Sequence, residues 1–135
     1  MTQLTKFALD QCSLQGVLNT TTVACFVEAW CYAKQEFSDL SFDDQEFRYF
    51  TIEMINKIAI IIKDANKYEI KKHQTKIEQE LNSLINSFCT GDISDNEFYL
   101  KFEKLNLFKY DNGLVNIILW NIIKGNFDNP VSYLD

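Results

Sequence analysis

Residues 41–65 read SFDDQEFRYFTIEMINKIAIIIKDA, and the apolar positions of this stretch decide the fold class. Phe47, Phe50, Met54, Ile58, Ile61 and Ile62 recur three or four residues apart, the spacing of one face of an α-helix. Ile55 and Ile60 add a second apolar side, so residues 42–65 are expected to form the central, most buried helix. Ser41 suits its N-cap, and Asp43 and Asp44 suit the positive end of its macrodipole.

The same periodicity continues on both sides. Downstream, residues 67–88 carry Ile70, Ile77, Leu81, Leu84, Ile85 and Phe88 on one face. Only the region of Asn66 offers a turn before them, so residues 42–88 form either one helix or two. Gly91 ends that helix, and Ser94-Asp95-Asn96-Glu97 reads as a capping box opening a helix over 95–105, with Phe98, Phe102 and Leu105 inward. Asp111-Asn112-Gly113 is a turn signal. After it, residues 114–124 are apolar nearly all round and stop at Gly125. Their β-branched content keeps a strand open as the alternative to a helix there. Upstream, Val23, Phe26, Val27, Trp30 and Ala33 predict a helix over 23–37, with the Thr20-Thr21-Thr22 run as its cap. Residues 4–15 predict another, capped by Thr2, stopped at Gly16, with Leu4, Phe7, Ala8 and Leu14 inward.

The expectation is an all-α, single-domain helical bundle of five to six helices spanning residues 1–135. Only 4 Gly and 1 Pro punctuate the chain, too few for the many tight turns of a sandwich or barrel. At 47% hydrophobic and 14% aromatic residues it can bury a substantial core.

The net charge is −6 and unevenly spread. Residues 1–55 hold eight acids and three bases, residues 56–76 six lysines and two acids, and residues 77–135 nine acids and four bases. Nucleic acid is a poor direct partner for such a chain, because phosphate binding requires Lys and Arg to displace counterions. The lysine band from Lys57 to Lys76 reads as a solvated helix face. The longest apolar run, residues 58–62, is too short to span a membrane, and the N-terminus has no basic segment followed by an apolar one. These features predict a cytoplasmic protein that uses no membrane.

The residues that carry chemistry do not assemble into a constellation. His73 is the only histidine, and it sits among Lys71, Lys72 and Lys76. Cys12, Cys25, Cys31 and Cys89 are scattered without metal-ligand spacing and read as reduced core residues. Glycine-rich phosphate loops, the HExxH pair and an EF-hand loop are absent from the sequence. The chain is therefore read as a non-enzyme with no cofactor and no metal. The carboxylate pair Asp43 and Asp44 is better explained by the start of a helix than by acid–base work.

One segment stands out for binding. Residues 36–46 (EFSDLSFDDQE) hold Glu36, Asp39, Asp43, Asp44 and Glu46 with no base, interleaved with Phe37, Leu40 and Phe42. Placed at a helix junction, acids beside aromatics suit docking on a basic protein, charge steering and rings anchoring. The competing account is a capped loop whose aromatics turn inward. Trp120, Phe127, Tyr133 and Leu134 form either a docking strip or the closing edge of the core.

The stretch Leu84-Ile85-Asn86-Ser87-Phe88-Cys89-Thr90-Gly91-Asp92-Ile93-Ser94-Asp95-Asn96-Glu97-Phe98 resembles the colicin D-type immunity proteins: a helix ending in an aromatic, a short turn, then Ile-Ser and a Glu-Phe pair opening the next helix. Residues 115–130, an apolar helix followed by Asp-Asn-Pro, are compatible with it. The similarity covers at most a third of the chain. It implies a helical bundle that neutralises a bacterial ribonuclease toxin by covering its active site with acidic side chains, in the wider class of contact-dependent growth-inhibition immunity proteins. The acidity fits, since nuclease clefts are basic. Two other readings remain open: a phage- or plasmid-encoded inhibitor of a host defence protein, and a regulatory module that homodimerises through its third or sixth helix.

Overall fold

The computed structural model describes residues 2–41, 52–66, 74–125 and 127–132. Six α-helices account for most of them, with no strand among the described residues: α1 Gln3–Leu14, α2 Thr20–Ser41, α3 Ile52–Ile62, α4 Gln74–Cys89, α5 Asp95–Leu105 and α6 Asn112–Lys124. A short 3-10 turn, Asp64–Asn66, follows α3. The region of residues 42–88 is thus not one helix: α3 stops at Ile62, and the 3-10 turn that follows includes Asn66, the region the sequence offers as a turn. Phe47, Phe50, Ile70 and His73 lie outside the described residues, as do the side chains of Ala65 and Ile77.

Local chemistry explains most helix ends. The Thr2 hydroxyl accepts from the Thr5 amide, and the Ser94 hydroxyl accepts from the Glu97 amide. After α1, Gly16 turns left-handed at φ +72° while the Val17 amide reaches back to the Cys12 carbonyl. Gly91 does the same after α4, at φ +81°, with the Asp92 amide on the Ser87 carbonyl. Two expectations need correction. The cap of α2 is Asn19, whose Oδ1 accepts from the Thr22 amide at 2.8 Å, not the threonine run. The Glu97 carboxylate pairs with Lys101 at 3.0 Å, so only the Ser94 half of the capping box is seen.

The helices share one core. α1 lies on α2, α2 on α3, and α4 on α5, while α6 touches α2, α3 and α5. Ten consecutive residues of α6, Leu114 to Ile123, are buried. Among the described residues the most enclosed helix is therefore the last one, not α3, the described part of residues 42–65. Of α3, Met54, Ile55, Ile58, Ala59 and Ile62 are buried, but Glu53 and Lys57 face solvent. Segment 114–124 is helical despite its β-branched residues, because enclosure by three helices outweighs a weak local preference. That enclosure leaves Lys124 as the one exposed residue of the helix. Leu14, assigned inward from its spacing, is 74% exposed.

Three asparagines act as main-chain clamps. Asn66, fully buried, donates to the Ala59 and Tyr110 carbonyls and accepts from the Tyr110 amide. Asn112 grips both polar groups of Phe108. Asn121, also fully buried, donates to the Ile117 and Val131 carbonyls at 2.8 and 2.9 Å and accepts from the Val131 amide at 2.9 Å. Each amide presents a donor and an acceptor side by side, so it can pair with one residue's N–H and C=O as a neighbouring strand would. Asn121→Ala should remove all three bonds and leave Val131 unpaired, a loss of about 3 kcal/mol by urea denaturation. A loss below about 1 kcal/mol would show that water replaces the clamp.

Candidate partner-binding surface

The acidic segment begins on a helix rather than in a loop. Residues 36–41 form the last turns of α2, so Glu36 and Asp39 stand on one continuous 22-residue element. Glu36 is half-buried beside Tyr32, whose hydroxyl is pushed above its usual range by burial and then by the Glu36 charge. Asp39 is three residues further along the same helix. Its side chain, and Asp43, Asp44 and Glu46 entirely, lie outside the described residues. The structure thus joins two of the five sequence-predicted acids on one element. It also adds one that sequence reasoning missed: Glu28, eleven residues before Asp39, exposed and on the same side of α2 by helical spacing.

The end of α2 is an unfavourable place for acids. Carbonyl groups there give the helix its partial negative charge, and no base occupies the last turn. Four other acids are locally compensated. Asp95 meets Lys124 at 3.3 Å, Glu97 meets Lys101, Asp128 meets Lys34 at 2.8 Å, and Asp92 accepts from the Thr90 hydroxyl at 3.1 Å. Lys34 is held above its usual range by the hydrogen bond and charge of Asp128. Asp92, Asp95 and Glu97, the next acidic group along the chain, therefore offer a partner less uncompensated charge.

The aromatic strip resolves as core. Trp120 is buried against Tyr99 at 5.1 Å between ring centroids, with Lys124 over its ring at 4.8 Å. Phe127 meets Trp30 edge-on at 5.6 Å. Tyr133 and Leu134 lie outside the described residues. Of the lysine band, Lys57 and Lys63 are exposed, and Lys63 sits 5.6 Å from the Tyr110 ring centroid.

Of the four cysteines only Cys12 is buried; Cys25 and Cys89 are half-buried and Cys31 is exposed. Burial first, and then Asp111, push the Cys12 thiol above its usual range. A chromogenic disulfide reagent at neutral pH should thus label Cys31 first and Cys12 only on unfolding, since the thiolate is the nucleophile. Comparable rates for the two would contradict the packing of α1. Among the described residues, no group of three or more His, Cys, Asp or Glu side chains gathers to hold a metal ion.

A second surface was missed in the sequence. Leu9 of α1, the connecting Leu18 and Asn19, and Thr20, Val23 and Ala24 of α2 line an open groove of about 430 Å³. Leu18 is 55% exposed. No helical pattern marks Leu18, because it lies in the turn between two helices. No known protein family, curated protein or solved structure matches this chain.

Proposed function

We propose that this chain is a non-catalytic inhibitor of the bacterial immunity-protein kind, which binds a cognate nuclease toxin domain in the cytoplasm and blocks it with an acidic surface. The observation that supports this reading is the position of Glu36 and Asp39. Asp39 lies in the last turn of α2 and Glu36 one turn before it, towards the helix end whose dipole disfavours acids and whose last turn carries no basic residue. A residue that goes against a local helix preference is expected where function requires it. A basic toxin cleft supplies the missing counter-charge. Carriage on a rigid helix keeps the carboxylates in register, so little side-chain and loop entropy is lost on docking. Long-range attraction to a cationic partner also speeds encounter.

The test is functional rescue. Co-expression with a toxin domain encoded beside its own gene should restore growth of cells that the toxin alone kills, and the two chains should elute as a one-to-one complex. A toxin that remains active in the presence of excess soluble inhibitor would remove this reading.

A further inference from the structure

The groove between α1 and α2 lies one helical turn from the exposed acid Glu28. Ala24, on its wall, and Glu28, one turn on, line up along the outward side of α2. Glu28 is exposed and has no ion-pair partner among the described residues, as is also true of Asp10 on the outer face of α1. Two cations lie on these helices. Lys34 is held by Asp128 at 2.8 Å, and Lys6 projects from the outer face of α1. The walls of the groove itself are uncharged, contributed mainly by Leu9, Leu18, Val23 and Ala24.

An apolar slot with the exposed carboxylates of Glu28 and Asp10 on its two helices matches one kind of occupant. We infer that the groove seats an apolar side chain of a cationic amphipathic segment on the partner protein, whose Lys or Arg residues extend along α2 to Glu28. This rests on the inhibitor reading and adds an anchor to it: burial of one apolar side chain supplies affinity where charge alone supplies mainly encounter rate. A second copy of this chain is a worse occupant. Each copy carries −6, and an isologous contact centred on this face would bring Glu28 towards its own symmetry mate.

The probe is a synthetic 14-residue helical peptide with leucines on one face and lysines on the other. Two controls carry serine for leucine or glutamate for lysine. Titrated into the ¹⁵N-labelled protein, the Leu/Lys peptide should shift the amide resonances of Leu9, Leu18, Val23 and Ala24. Each control should bind at least about tenfold more weakly, the loss expected for one buried leucine or for its charge partners. Leu18→Ser, at an exposed site outside any helix, should weaken the Leu/Lys peptide by a similar factor. Ala24→Arg, which fills the slot from an exposed helical position, provides a second variant, with thermal melts confirming that both fold. Shifts centred elsewhere, equal binding of the Leu/Glu peptide, or undiminished binding to both variants would overturn the inference. So would light scattering that shows a wild-type dimer dissociated by Leu18→Ser, which would give the groove to a second copy. The peptide assay needs no toxin, so its failure leaves the rescue result standing, and a failed rescue leaves the groove assignment standing.

Discussion

Trp30→Ala is expected to lower the unfolding free energy by about 4 kcal/mol, the usual scale for emptying a buried tryptophan site. Trp30 is 1% exposed and sits among three other rings. Phe7 of α1 meets it edge-on at 5.6 Å, Phe26 of its own helix lies at 6.1 Å, and Phe127 closes over it at 5.6 Å. The truncation leaves a cavity that three elements would have to collapse to fill. It also unseats residues 127–132, whose other ties are Asn121, the Lys34–Asp128 pair and the Gln11–Ser132 hydrogen bond. For a chain whose total stability is on the order of 5–15 kcal/mol, this is about a quarter or more, and a melting point roughly 10–20 °C lower. Trp30→Phe keeps most of the volume and should cost well under half as much. Urea denaturation of the three proteins decides the matter; a loss below about 1 kcal/mol for the alanine variant would mean that these rings do not form a common core.

Reversing Asp39 and Asp43 together to lysine should reduce affinity for the toxin partner by about a hundredfold or more. Close charge pairs across such interfaces couple by roughly 1.5–7 kcal/mol, and about 3 kcal/mol already corresponds to more than a hundredfold. Part of the loss should appear as slower association that is less sensitive to salt. The stability change should be small, and its sign is informative. Asp39 lies in the last turn of α2, at the negative end of the dipole, so Asp39→Lys alone should leave the melting temperature unchanged or raise it by the equivalent of a few tenths of a kcal/mol. A residue whose removal stabilises the fold and abolishes binding is kept for binding. If Asp43 and Asp44 serve only a helix start, their replacement should cost about 1 kcal/mol or less and leave affinity intact. Undiminished affinity in the doubly reversed protein would move the interface off this segment.

Much of the fold was legible because it is written in short-range chemistry. Helical class follows from apolar spacing, and the ends at Thr2, Gly16, Ser94, Gly91 and Gly125 follow from caps that a few residues complete by themselves. The extension of α2 through residues 38–41 was not anticipated. Acids near a C-terminus argue for stopping there, yet no glycine or proline lies between residues 17 and 90 to stop it. The docking segment was found from its charge, whereas the groove beside Leu18 depends on how two helices meet and has no periodic signature.

What the amino-acid sequence determined by itself is the helical character, most of the boundaries, and the −6 charge with its concentration of acids at residues 36–46. Only the tertiary structure decided which helix is central. Residues 42–65 and 114–124 both read as apolar on more than one side, and periodicity records which faces avoid water without naming the neighbours that cover them. Three helices surround α6, and α3 keeps Glu53 and Lys57 in solvent. The tertiary structure likewise decided that Asn66 and Asn121 are buried clamps. Asparagine along a chain signals a turn or a surface, and what pays for burying it here is a main-chain residue 44 or 10 positions away, a pairing that exists only once the helices have packed.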